Sequence, residues 1–469
     1  MAGLGAGLTA AQAREIYRQG EEAVVFALLQ QAQLLAAAQE LATSPLAVSP
    51  STPSGMRPLY TKPPASVRHK PPGRKDGHPG AWRVRPEQAD QTQTHRLECC
   101  PQCQGPLSRC QQVRRRYIED IPQDIQPVVT EHVIHRDWCP HCHQHVEPVV
   151  PDALPGAMLG HRVLALSAWL HYGLGQTLSQ IVAVFGQHLH VQLTPGGLVQ
   201  MWQRSAERLE DWYAQIQTQA RQAAVLHADE TGWRVNGQTH WLWCFATPQE
   251  TFYMIDRSRG GPALRQFFRE EFAGTLVCDF WGAYNAVTSS RKQRCLVHLL
   301  RELDYVETYR TCDRDWPAFA KRLRRLIGDG IRLWKRDAVE PAEYASRRAR
   351  LLERLQELIA TPWEHPEVRR LLKRLRRHQD ELFTFLDVLG VPFENNHAER
   401  ALRPAVIIRK NSQSNRSTRG AQTQAILMSV YRTLKQRGAP PLDTITAALR
   451  THLSTGHLPP LPPNAAPSG

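Results

Sequence analysis

Apolar residues change their spacing several times along the chain, and each change predicts a different kind of element. Over residues 10–43, Val24, Leu28, Gln31 and Leu35 fall at helical steps. They predict a helix, with a short coiled coil and an Ala-rich surface helix both open. Residues 44–90 lose that spacing and fill with Pro, Ser, Gly and basic residues, the composition of an extended linker. Helical spacing returns over 158–218, in QTLSQIVAVFGQHL and LVQMWQRSAERLEDWY, with a turn expected near Thr194-Pro195-Gly196-Gly197. A helix-turn-helix and an ordinary helical hairpin both fit this pattern.

From 223 to 300 the pattern becomes that of strands. AAVLHADETGWRV, THWLWCFATP and ETFYMIDRS read as three strands, joined at Asn236-Gly237 and Pro248-Gln249. GPALRQFFREEF follows as a helix. TLVCDFWGAY supplies a buried apolar strand ending at Asp279, and RCLVHLLREL a further strand and helix. Residues 313–390 are almost wholly helical and basic. Asn395-Asn396 is expected to cap a helix carrying Glu399 and Arg400. Further helices are expected at 426–455. Three hairpin-type strands, a helix and an apolar strand form the opening order of a ribonuclease-H-like α/β fold. The expected catalytic core is therefore 223–425, with a helical insertion at about 305–390.

Composition narrows the partner. A chain of 469 residues has room for two to four domains, and its formal net charge of +14 favours a polyanion. The N-terminal residues lack a basic stretch followed by an apolar run, and no segment reaches the ~18 apolar residues of a membrane helix. The expectation is a cytoplasmic, nucleoid-associated protein with no membrane partner. The linker's KPPGRKDGHPGAWRVR, with Arg74 and Lys75, can track a phosphate backbone or simply be solvated.

In a reducing compartment the ten cysteines are not a disulfide framework. Cys100-Pro-Gln-Cys103 and Cys139-Pro-His-Cys142 are two CxxC knuckles with 35 residues between them. Each knuckle presents two thiolates from one tight turn, so the pair predicts one tetrahedral, structural Zn²⁺ in a ribbon spanning 95–150. The residues between the knuckles are expected to form a β-excursion. Cys99, Cys110, His141 and His143 are alternative ligands. Cys295-Leu-Val-His298 offers two more ligand types, which alone do not close a zinc site.

Asp229 and Asp279 each end an apolar strand, and Glu399 sits on a basic helix beside Arg400 and Arg403. A turn-capping Asp and a surface Glu–Arg pair are the ordinary readings of each residue alone. Together they are the oxygen ligands that phosphodiester chemistry needs to hold two Mg²⁺ or Mn²⁺ ions.

These residues stand in longer motifs: His227-Ala228-Asp229-Glu230-Thr231, Cys278-Asp279, Asn395-Asn396-His397-Ala398-Glu399-Arg400-Ala401-Leu402-Arg403-Pro404, and Arg409-Lys410-Asn411-Ser412. With Lys62-Pro63-Pro64, Gly77-His78-Pro79-Gly80, the cysteine pairs and Arg419-Gly420-Ala421, the chain resembles bacterial transposases of the insertion sequence 66 family over about residues 60–450. The resemblance implies an Asp-Asp-Glu polynucleotidyl transferase with Asp229, Asp279 and Glu399 on catalytic metal. It implies double-stranded DNA as partner, both transposon ends and target. It also implies a homo-oligomeric synapse and accessory proteins of the same element. Arg400, Arg403, Arg409 and Lys410 are the expected phosphate contacts. The chain departs from the family pattern in having Phe280-Trp281-Gly282 after the second Asp and Gln413-Ser414 after Ser412. A nuclease of the same fold, and a DNA-binding protein that has lost its chemistry, are the alternative functions.

Overall fold

The computed structural model describes residues 86–464, apart from 111, 123–124, 311–314 and 337–338, together with a few isolated positions among the first 24. The expected N-terminal helix and nearly all of the linker, including Arg74 and Lys75, lie outside the described residues. The chain divides into two units, one of residues 58–148 and 178–198, the other of 1–57, 149–177 and 199–469.

In the smaller unit, β1 (Asp137–Cys139) pairs antiparallel with β2 (Gln144–Val146), so the second cysteine knuckle is the turn of a short hairpin. At the first knuckle, Cys99 bridges Pro106 and Cys100 N–H donates to Gly105 O at 2.9 Å. The β-excursion expected between the knuckles is not formed: the described residues from 113 to 136 contain no strand. Pro122 and Pro127 have no N–H to give a ladder. Ile118, Val128 and Val129 are largely exposed, so no second layer covers an apolar face. This unit also contains α2 (Leu178–His188). The turn expected at 194–197 is instead the start of α3 (Pro195–Arg208). Pro195 needs no N–H partner in a first helical turn, and Thr194 Oγ1 accepts from Gly197 N–H at 3.1 Å.

The larger unit is built on a five-stranded mixed sheet of order β5-β4-β3-β6-β7. Its central strand, β3 (Val225–Val235), runs antiparallel to β4 (Gln238–Ala246) and parallel to β6 (Phe272–Cys278). Strand β5 (Thr251–Asp256) lies antiparallel beside β4, and β7 (Ser289–Arg294) parallel beside β6. On one face, Phe267 of α5 (Gly261–Phe268) stacks on Phe245 at 3.7 Å and packs at a tilt against Phe252 at 5.4 Å. Strand alternation sends Tyr253 to the other face. There its hydroxyl donates to Ala401 O of α10 (Asn396–Ser412), and its backbone N–H donates to Ser429 Oγ of α11 (Thr418–Gln436). Helices α1 (His161–Ala168), α4 (Glu210–Arg221) and α12 (Pro441–Thr455) complete the layers. Tyr431 of α11 ties to α1 by donating to Ala165 O. No described helix is long and apolar enough to cross a membrane.

Strand β7 departs from expectation. The strand placed in RCLVHLL is the start of helix α6 (Leu296–Tyr309), and the strand is the preceding all-polar Ser-Ser-Arg-Lys-Gln-Arg. Its last two side chains are fully buried and direct their hydrogen bonds to other elements. Gln293 donates to Leu382 O and accepts from Phe385 N–H. Arg294 donates to Glu381 Oε2, Asp279 O and Asn285 Oδ1 at 2.6, 2.9 and 2.8 Å. The partners Leu382, Phe385 and Glu381 end the helical segment formed by α6, α7 (Trp316–Trp334), α8 (Pro341–Ala360) and α9 (Pro366–His378). This segment has its own apolar core, including Leu323, Leu355 and Leu371.

Packing at two positions sets measurable stability effects. A Cβ at Gly274 of β6 would stand 2.3 Å from Ala223 O and 2.8 Å from Ala224 O, which are backbone atoms without a rotamer to escape into. Gly274→Ala is therefore expected to destabilise the larger unit by about 1–3 kcal/mol, measured by urea unfolding. At Glu381, burial pushes the carboxyl up, but the hydrogen bond to His378 and the charge of Arg294 outweigh it and hold the group down at about 2. A folded value below the ordinary 4.5 means a contribution present above 4.5 and lost as pH falls toward about 2. Glu381→Gln should cost about 3 kcal/mol at neutral pH, because it leaves Arg294 buried without its anion. The gap from wild type should narrow across that acid window.

Candidate active site

The sheet register brings two of the expected carboxylates to one level. Strands β3 and β6 pair in parallel through Leu226↔Leu276 and His227↔Val277; two residues further on stand Asp229, inside β3 rather than at its end as expected because the strand runs on to Val235 beside β4, and Asp279, just past the end of β6. Adjacent strands lie about 4.8 Å apart. Asp229 is almost fully buried.

The third carboxylate is delivered by α10. Asn395 precedes this helix, but its side chain does not cap it as expected. Asn395 Nδ2 donates to Ala228 O at 2.8 Å, and Oδ1 accepts from His227 Nδ1–H at 3.1 Å. The amide is thus diverted to pin the start of α10 to β3, one residue before Asp229. Glu399 N–H donates to Asn395 O, so Glu399 lies one helical turn beyond that pin. Arg301 Nη1 and His298 Nε2 stand 3.3 and 3.8 Å from Glu399 Oε1. The three carboxylates do not have ligand atoms all within 4.8 Å of one another among the described residues. The group that meets that distance is Cys295, His298 and Glu399.

A network that sequence reasoning missed surrounds Asp279. Trp281 N–H donates to Asp279 Oδ1 at 2.8 Å, and the Trp281 indole N–H donates to Arg259 O at 3.0 Å. The Arg259 guanidinium stacks on Trp281 at 3.8 Å and Trp241 at 4.5 Å, and donates twice to Glu230 Oε1. Tyr284 donates to the other Glu230 oxygen at 2.7 Å. Trp281 and Tyr284 thus serve this network. Glu230 was legible as a signal: an ionisable residue in a strand buried on both faces needs a partner.

Burial dominates the electrostatics. Burial, and then the Asp279 charge, push the Glu230 carboxyl up to about 7 against the pull of Tyr284 and Arg259. Burial also pushes Asp279 up, against the Trp281 N–H and the charges of Arg294 and Arg259. Burial and the neighbouring His397 push His227 down to about 4, which keeps its ring neutral.

The expected phosphate contacts divide. Arg400, Arg403 and Lys410 are exposed on α10. Arg409 is not available as expected. It points into the fold, donating to Thr231 Oγ1 at 2.8 Å and to Gly232 O, and so holds α10 against β3.

Each cysteine knuckle has the local geometry of a metal turn, although the four thiols do not come within ligand distance as one group among the described residues. At Cys100 the backbone N–H groups of Cys103 and Gln102 pull the thiol below its ordinary value. At Cys139 those of Cys142 and His141 do the same, the Cys142 N–H lying 3.4 Å from Cys139 Sγ. Both turns favour thiolate, the form that binds zinc.

Residues 98–143 match the zinc-finger binding domain of transposase IS66, which supports a structural zinc there. A curated protein of Sinorhizobium fredii, the uncharacterized protein y4qI, is 24% identical over 247 residues, which cover 46% of this chain and 44% of that protein. The chain thus spans less than half the length of that curated relative. Residues 156–423, more than half of the chain and the stretch holding Asp229, Asp279 and Glu399, match the transposase IS66 family model, and the chain belongs to that family.

Proposed function

We propose that this protein is a DNA transposase that cuts phosphodiester bonds at transposon ends and transfers the freed 3′-hydroxyl into target DNA. Its core is read as ribonuclease-H-like, on the strand order β5-β4-β3-β6-β7 with a helical insertion before the last carboxylate. The observation that supports the reading is the parallel register that sets Asp229 of β3 and Asp279, just past β6, at one level, with Asn395 fastening α10 to Ala228 O.

In this reading Asp229, Asp279 and Glu399 hold two Mg²⁺ or Mn²⁺ ions. When bound, the ions activate the attacking oxygen and stabilise the leaving oxygen. The protein's part is positioning. Arg294 fixes the Asp279 backbone, Trp281 fixes its carboxylate, and Glu230 with Arg259 holds Trp281 in place. Arg400, Arg403 and Lys410 are available to contact phosphates, and the zinc-bearing unit recognises terminal inverted repeats. Two ends must be joined, so a homo-oligomeric synapse is part of the proposal, as are accessory proteins encoded by the same element.

The test is mobilisation of a marker flanked by the native ends, in cells that also carry the neighbouring reading frames. Wild type should mobilise it and Glu399→Gln should not. Equal mobilisation by both would remove Glu399 from the chemistry. DNA binding without nicking by wild type would favour a protein that kept the fold and lost catalysis.

A further inference from the structure

We propose that Cys295, His298 and Glu399 form a further metal centre, for a zinc-type dication, in which Glu399 is a carboxylate shared with the ions that the proposed function assigns to Asp229 and Asp279. One ligand atom from each residue lies within 4.8 Å of the other two, and His298 Nε2 stands 3.8 Å from Glu399 Oε1. Ligand atoms around a tetrahedral zinc with bonds of about 2.0–2.3 Å are spaced by roughly 3.3–3.8 Å, so modest side-chain closure completes the set.

The fold builds this arrangement from two helix starts. Cys295 follows β7 and precedes the first residue of α6, and His298 stands three positions on, on the same face. Glu399 lies in the first turn of α10. The two starts are laced together: Asn395 N–H donates to Cys295 Sγ at 3.2 Å, and Leu296 N–H to Phe393 O at 2.9 Å. A thiolate and a carboxylate at helix N-termini are favoured by the helix dipoles. Cys295 is fully buried and His298 nearly so, and Glu399 Oε1 also lies 3.3 Å from Arg301 Nη1, so a bound metal would replace the Cys295 thiol proton and share Glu399 with that guanidinium. The donors also sort the metals. Sulfur and imidazole select zinc, whereas the oxygens of Asp229 and Asp279 suit magnesium. Three protein ligands leave a fourth position open.

Metal content tests this independently of whether the carboxylates perform DNA chemistry. Full-length wild type should carry two zinc ions per chain, and Cys295→Ser, His298→Ala and Cys139→Ser one each. Asp229→Asn should keep both, so loss of DNA cleavage in that variant leaves the zinc result standing. Serine keeps an acceptor for Asn395 N–H, and circular dichroism checks that the variant folds. A second readout uses Co²⁺ in the Cys139→Ser/Cys142→Ser protein, where a thiolate-to-cobalt absorption band should appear and vanish on adding Cys295→Ser. One zinc per chain in wild type, unchanged by Cys295→Ser, or no cobalt–thiolate band in the knuckle variant, would overturn the proposal.

Discussion

Asp279→Asn should lower metal-dependent strand cleavage by at least about a thousandfold, because several kcal/mol of metal-supplied stabilisation disappear at about 1.4 kcal/mol per tenfold. The same substitution should leave the metal-free fold at least as stable as wild type. Burial already disfavours the Asp279 charge, and that charge in turn pushes Glu230 toward protonation. A neutral amide relieves both, and the side-chain oxygen that it retains can still accept from Trp281 N–H. Mg²⁺ should raise the melting temperature of wild type, since a ligand bound only by the native state stabilises it, and should do so little or not at all in Asp279→Asn. Scanning calorimetry with and without Mg²⁺, beside a nicking assay on end-bearing DNA, reads both effects. Cleavage retained in the variant, or an undiminished Mg²⁺ shift, would take Asp279 out of the metal site. Lower metal-free stability would mean that the carboxylate serves the fold.

The carboxylates were legible because a charge that ends an apolar run is conspicuous: Leu226-His227-Ala228-Asp229 and Leu276-Val277-Cys278-Asp279 announce themselves. The residues that hold them in place were not. Arg259 lies between β5 and α5, outside any motif, and acquires its role only because Trp241 and Trp281, from separate segments, arrive on either side of it. Strand β7 was hidden for the opposite reason. Its six polar residues carry no apolar alternation, and the partners at 381–385, with Asp279 O and Asn285 Oδ1, offset the cost of burying Gln293 and Arg294. Asn395 and Arg409 were singled out correctly but in other roles. A capping amide and a phosphate clamp turn out to be the two fastenings of α10 to β3. Sequence spacing reports which side chains are available, whereas tertiary neighbours decide where their hydrogen bonds go.

Loss of the zinc should unfold the cysteine-bearing segment while the larger unit stays folded. Structural zinc sites contribute on the order of 10 kcal/mol of apparent binding free energy at neutral pH, which in small metal domains is folding free energy. The segment has little else to rely on. Its hairpin strands are three residues each, and Ile118, Ile121, Val128 and Val129 are largely exposed and form no core. A two-stranded hairpin of that size is not stable by itself in water. Cys139→Ser should therefore release one zinc, and either it or a chelator should open 98–143 to proteolysis. Binding to terminal-repeat DNA should fall by an order of magnitude or more, each lost contact set of about 1.4 kcal/mol being tenfold. The melting transition of the larger unit, with its five-stranded sheet and buried aromatic layer, should not move. Limited proteolysis with cleavage-site mapping, zinc analysis and a DNA-binding titration separate the outcomes. Zinc loss with end binding intact would assign recognition to the basic helices of the larger unit. A joint collapse of both units would mean that the zinc supports the whole chain.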